Sequence, residues 1–99
     1  MRAMMDLQIL PVGVGNSLSS YIAACEGVLT EAGLNPQLHA FGTDVEGEWQ
    51  TLVDAVQRCH ELVHQMGAPR VVTHLKLETR SHDNVELSQA VESVRRKLA

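Results

Sequence analysis

A chain of 99 residues with a formal charge of −4, 44% hydrophobic residues and 3% aromatics fits one compact domain, residues 1–99, whose core must be built from Val, Leu, Ile, Ala and Met. The acidic balance leaves no basic footprint for nucleic acid, and the single cationic run, Arg95-Arg96-Lys97, suits the negative end of a terminal helix. No run of roughly 18 apolar residues is present to span a membrane, and Asp6 and Gln8 interrupt the apolar N-terminal stretch that a signal peptide would need.

Met5 to Val12 alternates, with Met5, Leu7 and Ile9 opposite Asp6 and Gln8, which predicts a half-buried strand ended by Pro11 and Gly13. Asn16 or Ser17 then offers a capping oxygen to a helix whose apolar stripe is Leu18, Ile22, Cys25, Leu29 and Ala32, closed by Gly33 and Pro36. Gln37 to Phe41 reads as a second strand, Gly42-Thr43 as a tight connection and Thr43 to Glu46 as a short third strand. A second helix begins at Glu48, with Trp49, Leu52, Val53, Val56, Cys59 and Val63 on one face, and ends at Gly67 and Pro69. Val71 to Thr79 alternates again, setting Val71, Leu75 and Leu77 against Val72, His74, Lys76 and Glu78. Asp83 and Glu86 are spaced as a capping box before a last helix with the narrow stripe Leu87, Val91, Val94 and Leu98.

This order is the split βαβ plan of an α+β, ferredoxin-like βαββαβ antiparallel sheet with an additional C-terminal helix. Two helices covering one face leave Gln8, His39, His74, Lys76 and Glu78 on the other, a face too polar for a core and the candidate for both subunit contact and ligand recognition. A one-residue slip would exchange the two faces. Cys25 and Cys59 lack CxxC spacing and lie on apolar stripes, which predicts reduced, buried thiols and a cytoplasmic protein.

Leu38 to Trp49, LHAFGTDVEGEW, gathers a histidine, two glycines, a threonine, three acidic groups and the only tryptophan into twelve residues. The run His39-x-x-Gly42-Thr43, then Val45-Glu46-Gly47-Glu48-Trp49 at the mouth of a helix, resembles the signature of a small thiamine-binding protein family with a ferredoxin-like fold. Pro11 to Gly15, Ser17-Leu18-Ser19-x-Tyr21, Cys59-His60-Glu61 and Arg70-Val71-Val72-Thr73 leading to Arg80 extend the resemblance from about Met5 to Leu98. It implies a subunit that pairs through its sheet into a homodimer or homotetramer. It also implies binding of thiamine or its aminopyrimidine part without catalysis and without a cofactor. Asp44 departs from the resemblance, standing where an uncharged residue such as threonine is common.

Thiamine couples a permanently cationic thiazolium to an aminopyrimidine that both donates and accepts hydrogen bonds, so a fitting pocket needs a carboxylate, an apolar or aromatic wall and oriented polar groups. Glu46, beside Glu48, is the candidate for the negative charge and Trp49 for stacking on the cation. His39, Thr43 and backbone amides near Gly42 are the candidates for reading the pyrimidine edge. Structural alternatives stand beside each: the glutamates favour a helix N-terminus, Trp49 starts an apolar stripe, His39 can bond across strands, and Thr43 can serve a turn. Ser17 and Ser19, with Gly13 and Gly15 before them, suit a helix cap or an anion at that helix end.

His60-Glu61-Leu62-Val63-His64 matches the H-E-x-x-H pattern of zinc hydrolases, and Gly67 falls where the extended motif has glycine. The next ligand position, however, holds Arg70, whose guanidinium does not coordinate zinc. His60 is expected to face the sheet with Glu61 in solvent, so a third ligand would have to come from His39, His74 or His82 through the fold. On the strength of the resemblance, the leading expectation is a non-catalytic binding protein for thiamine or a related aminopyrimidine, with its site at subunit contacts beside Gly42 to Trp49. A homo-oligomeric interaction module without a small ligand, or a zinc hydrolase built on the HELVH segment, are its rivals.

Overall fold

The computed structural model describes residues 1–82 and 87–99, so the expected capping box of Asp83 and Glu86 lies outside the described residues. The elements run β1 (Arg2–Val12), α1 (Ser19–Glu31), β2 (Gln37–His39), β3 (Gly42–Glu48), α2 (Trp49–Gln65), β4 (Arg70–Thr79) and α3 (Leu87–Leu98). They form one antiparallel sheet in the order β2-β3-β1-β4, the ferredoxin-like arrangement with a helix appended.

Alternation in β1 sends Ala3, Met5, Leu7 and Ile9 into the core, where they meet Val45 of β3, Cys25, Val28 and Leu29 of α1, and Leu52, Ala55, Cys59 and Val63 of α2. Cross-strand partners share a face. The pairs Met4↔Glu78, Asp6↔Lys76 and Gln8↔His74, with Asp6↔Asp44 and Met4↔Glu46, therefore define an opposite, open face. It carries the expected Gln8, His74, Lys76 and Glu78, and His39 reaches it from β2 to contact Asp6.

Both long helices end where glycine predicts. Leu34 N–H bonds to Leu29 C=O and Gly33 N–H to Thr30 C=O after α1, and the same pair of bonds closes α2 through Ala68 to Val63 and Gly67 to His64. These are Schellman ends, with Gly33 at φ +79° and Gly67 at φ +115° in the left-handed region.

The beginnings differ from expectation. Neither Asn16, Ser17 nor Ser19 caps α1: Leu18 occupies the cap position with helical dihedrals and makes no side-chain cap bond. An extended cap residue is what lets a side-chain oxygen turn back to the first amides, and Leu18 is not extended. Helix α2 starts one residue after Glu48, which remains in β3 opposite Arg2.

The hairpin turn also moves, to Ala40-Phe41, since His39 pairs directly with Gly42. Gly42 is thus the first residue of β3, and the reason it is glycine lies across the sheet: a Cβ there would stand 2.6 Å from the Leu7 carbonyl oxygen.

The helical stripes are rotated slightly from the expected ones. In α2 the buried line is Leu52, Ala55, Cys59 and Val63, while Trp49 and Val53 are each 38% exposed. In α1, Val28 joins Cys25 and Leu29 in the core, and Ile22 is turned partly outward. Helix α3 buries none of its residues. Its Leu87 N–H bonds to the Glu46 carboxylate at 3.0 Å, which fixes its start on the open face.

Candidate functional site

Between the first half of α1 and the β2–β3 hairpin, on the core side of the sheet, lies a cleft of about 190 Å³. Leu18 and Ile22, at the start of α1, share it with residues of β1 and the hairpin. Leu7, Ile9, Leu18, Ile22, Cys25 and Leu29 form apolar walls, Leu38 and Phe41 stand at the hairpin side, and Glu26, His39, Gly42 and Thr43 complete the lining.

Thr43 is buried and its hydroxyl donates to Glu26 Oε2 at 3.3 Å. Glu26 is the sole carboxylate among the lining residues. Partial burial raises its carboxyl above its ordinary value, against the bond from Thr43, which favours the ionised form. Glu26 was not among the residues expected from sequence. A signal existed: it lies four residues after Ile22 and three before Leu29, so it is a carboxylate on an apolar helical stripe.

The five residues expected to form a site fall in different places. Gly42 and Thr43 line the cleft. His39 lines its rim, but its side chain faces the other side of the sheet, with Nε2 3.0 Å from Asp6 Oδ1 and 3.4 Å from Asp44 Oδ1. Glu46 lies on that open face and accepts the Leu87 amide. Trp49 begins α2 and is absent from the cleft lining.

Asp6, His39 and Asp44 bring potential metal-ligand atoms within 4.8 Å of one another on the exposed surface. The Phe41 N–H donates to His39 Nδ1 at 3.3 Å, so in the neutral ring Nε2 carries the proton and points it at the carboxylates. That proton makes the imidazole a hydrogen-bond donor there, a clamp across three strands. The Asp6 hydrogen bond, aided by the charge of Asp44, raises His39 above its ordinary value. Desolvation, then the neighbouring Asp6, raises Asp44.

The two histidines of the HELVH segment have protein partners. His60 Nε2 bonds with the Thr73 hydroxyl, which confirms its orientation toward the sheet, and His64 Nδ1 donates to the Ala68 carbonyl at 2.9 Å. Among the described residues no His, Cys, Asp or Glu group joins them as a metal-ligand cluster. Cys25 and Cys59 are free and buried, and the bond with Cys25 together with burial holds the Cys59 thiol well above its ordinary value. No helix among the described residues is long and apolar enough to cross a membrane.

Comparison with known proteins places this architecture. A UPF0045 protein of Synechocystis is 44% identical over 95% of this chain and 78% of its own length. The solved structure of a hypothetical protein from Methanocaldococcus jannaschii superposes with a TM-score of 0.88 at 24% identity, covering 95% of this chain and 96% of the other. A structure from Thermotoga maritima, described as that of a candidate thiamine biosynthesis/salvage protein, has a TM-score of 0.82 at 19% identity, over 96% and 100% of the two chains. At such identities the structures establish the fold. The family model described as thiamine-binding protein matches residues 5–95, and with that span and the 44% identical relative this chain belongs to the thiamine-binding protein family.

Proposed function

We propose that the protein binds thiamine or a related aminopyrimidine, without catalysing a reaction on it, in the cleft between α1 and the β2–β3 hairpin. One observation carries the reading: an apolar slot contains a single carboxylate, Glu26, one oxygen of which is engaged by Thr43. Apolar walls suit the faces of a heteroaromatic ring, and a partly desolvated carboxylate suits its polar edge.

The cleft is smaller than the roughly 300 to 1,000 Å³ that encloses a drug-sized ligand, so it takes one ring and leaves the rest outside. A second copy of the chain is the proposed completion. Leu38 and Phe41 at the hairpin are 64% and 81% exposed, and Val91, Val94 and Leu98 of α3 are all at least half exposed, apolar surface of the kind that subunit contacts cover. The family name and the description of the Thermotoga relative support the ligand class. Two buried free thiols support a reducing compartment such as the cytoplasm as the place of action.

Gly42 and Thr43 serve the cleft directly and His39 braces the hairpin from behind. Glu46 anchors α3, and Trp49, at the start of α2, is left for contact with the part of the ligand outside the cleft or with the second copy. Calorimetry with thiamine and with its free pyrimidine tests the reading. Saturable binding of both below millimolar concentration is expected, and absence of heat and of competition for both rejects it.

A further inference from the structure

We infer that Glu26 is the specificity-determining residue of the cleft, and that it recognises a 4-aminopyrimidine edge by sharing one proton with the ring nitrogen beside the amino group. This rests on the binding reading above and specifies which half of the ligand enters, in which ionisation state.

The chemistry follows from the donors and acceptors available. A 4-aminopyrimidine edge presents an N–H donor next to a ring-nitrogen lone pair. An ionised carboxylate presents two acceptors, so one oxygen accepts the amino proton while the other meets the ring lone pair, and a repulsive contact results. Adding one proton between that oxygen and the ring nitrogen converts the pair into a bidentate, charge-assisted hydrogen bond. The proton comes from solvent and no covalent bond changes.

The surroundings of Glu26 favour that arrangement. The Thr43 hydroxyl donates to Oε2, orienting the carboxyl group as a bidentate partner requires. Partial burial already disfavours its ionised form. The titratable groups near it are Cys25 on its own helix and Cys59 from α2; β3 supplies the Thr43 hydroxyl, and the imidazole of His39, whose residue lies at the rim, is turned to the open face. No lysine or arginine is among the cleft-lining residues, so a cationic side chain does not substitute for the shared proton.

A 4-oxo ring replaces the amino donor by an acceptor, and the ring nitrogen beside it carries a hydrogen and donates, so it pairs with the carboxyl group only without charge assistance. A preference for the amino ring of at least about tenfold is expected. The thiazolium, already a cation and lacking this edge, stays outside.

The experiment is calorimetry of thiamine and of its 4-oxo analogue, in two buffers of different ionisation enthalpy across neutral pH, on the wild-type protein and Glu26→Gln. Expected for the wild type are net proton uptake on binding thiamine, affinity that falls as pH rises, and the amino preference. In Glu26→Gln, whose amide pairs with either edge without an added proton, uptake and pH slope should vanish and the two affinities converge. Thiamine binding without proton uptake in the wild type, or a variant that keeps both slope and preference, overturns the inference and leaves the binding reading standing. Failure of thiamine and the free pyrimidine to bind at all overturns both. The wild-type proton measurement decides the matter even if the variant folds poorly.

Discussion

His39 takes the open face that strand alternation predicts, and that direction turns its imidazole away from the cleft. The sequence predicts a strand from Gln37 to Phe41 around it; in the structure β2 ends at His39, paired with Gly42, and the imidazole turns to Asp6 and Asp44 on the open face. Strand parity decides this, because Leu38 and Thr43 pair on the cleft side and adjacent residues alternate. Glu46 follows the same rule, two residues beyond Asp44 on the open side. The clamp makes a pH prediction. His39 and Asp44 both have raised values in the fold, so each holds protons more tightly when folded than when unfolded. The stability they contribute is present at low pH and is lost as pH rises, through the carboxylate range for Asp44 and then through the raised value of His39. By NMR titration, Asp6→Asn should lower the His39 value more than Asp44→Asn does, because the bond to Asp6 is the largest cause of the shift. The reverse order would show that the Asp44 charge dominates.

At the scale of elements, helix ends were easier to read than helix starts. Gly33 and Gly67 announce Schellman closures that any helix with glycine at that position can form. Caps depend on how the chain approaches, and Leu18 approaches already coiled. The buried face of α2 is rotated by a fraction of a turn from the one its large apolar residues predict: Ala55 lies in the core and Trp49 and Val53 are partly exposed, because close packing of α2 on the sheet favours the small residue. Helix α3 keeps the stripe that its sequence predicts but touches its own chain mainly through β3, where Leu87 N–H meets Glu46. Its stripe of Leu87, Val91, Val94 and Leu98 is amphipathic, but none of these residues is buried. Substituting Val91 and Val94 by Glu should therefore leave the unfolding midpoint of the monomer nearly unchanged. The same substitutions should weaken self-association by about thirtyfold or more if these residues anchor the contact. Sedimentation equilibrium reads this, and an unaltered oligomer would remove α3 from the interface.

Over the whole molecule, the element order, sheet parity and polarity of the open face were legible because each follows from local periodicity repeated along the chain. The cleft was not. It lies between α1, the hairpin and β1, elements brought together only by the fold, and its carboxylate comes from α1, seventeen residues from Thr43 in sequence. The family resemblance led to the segment containing Gly42 and Thr43, and the fold supplied Glu26. This division also explains the HELVH segment. His60 and His64 share a helical neighbourhood, but the fold gives one to Thr73 and the other to Ala68.

The binding account commits to one side of the sheet, and amide NMR of the isotopically labelled protein titrated with thiamine tests that commitment most directly. Shifts should concentrate at Glu26, Gly42 and Thr43 and on the neighbouring Ile22 and Leu7, with smaller changes at His39. Shifts centred instead on Glu46, Leu87 and Val91, or no saturable shifts at all, would contradict it.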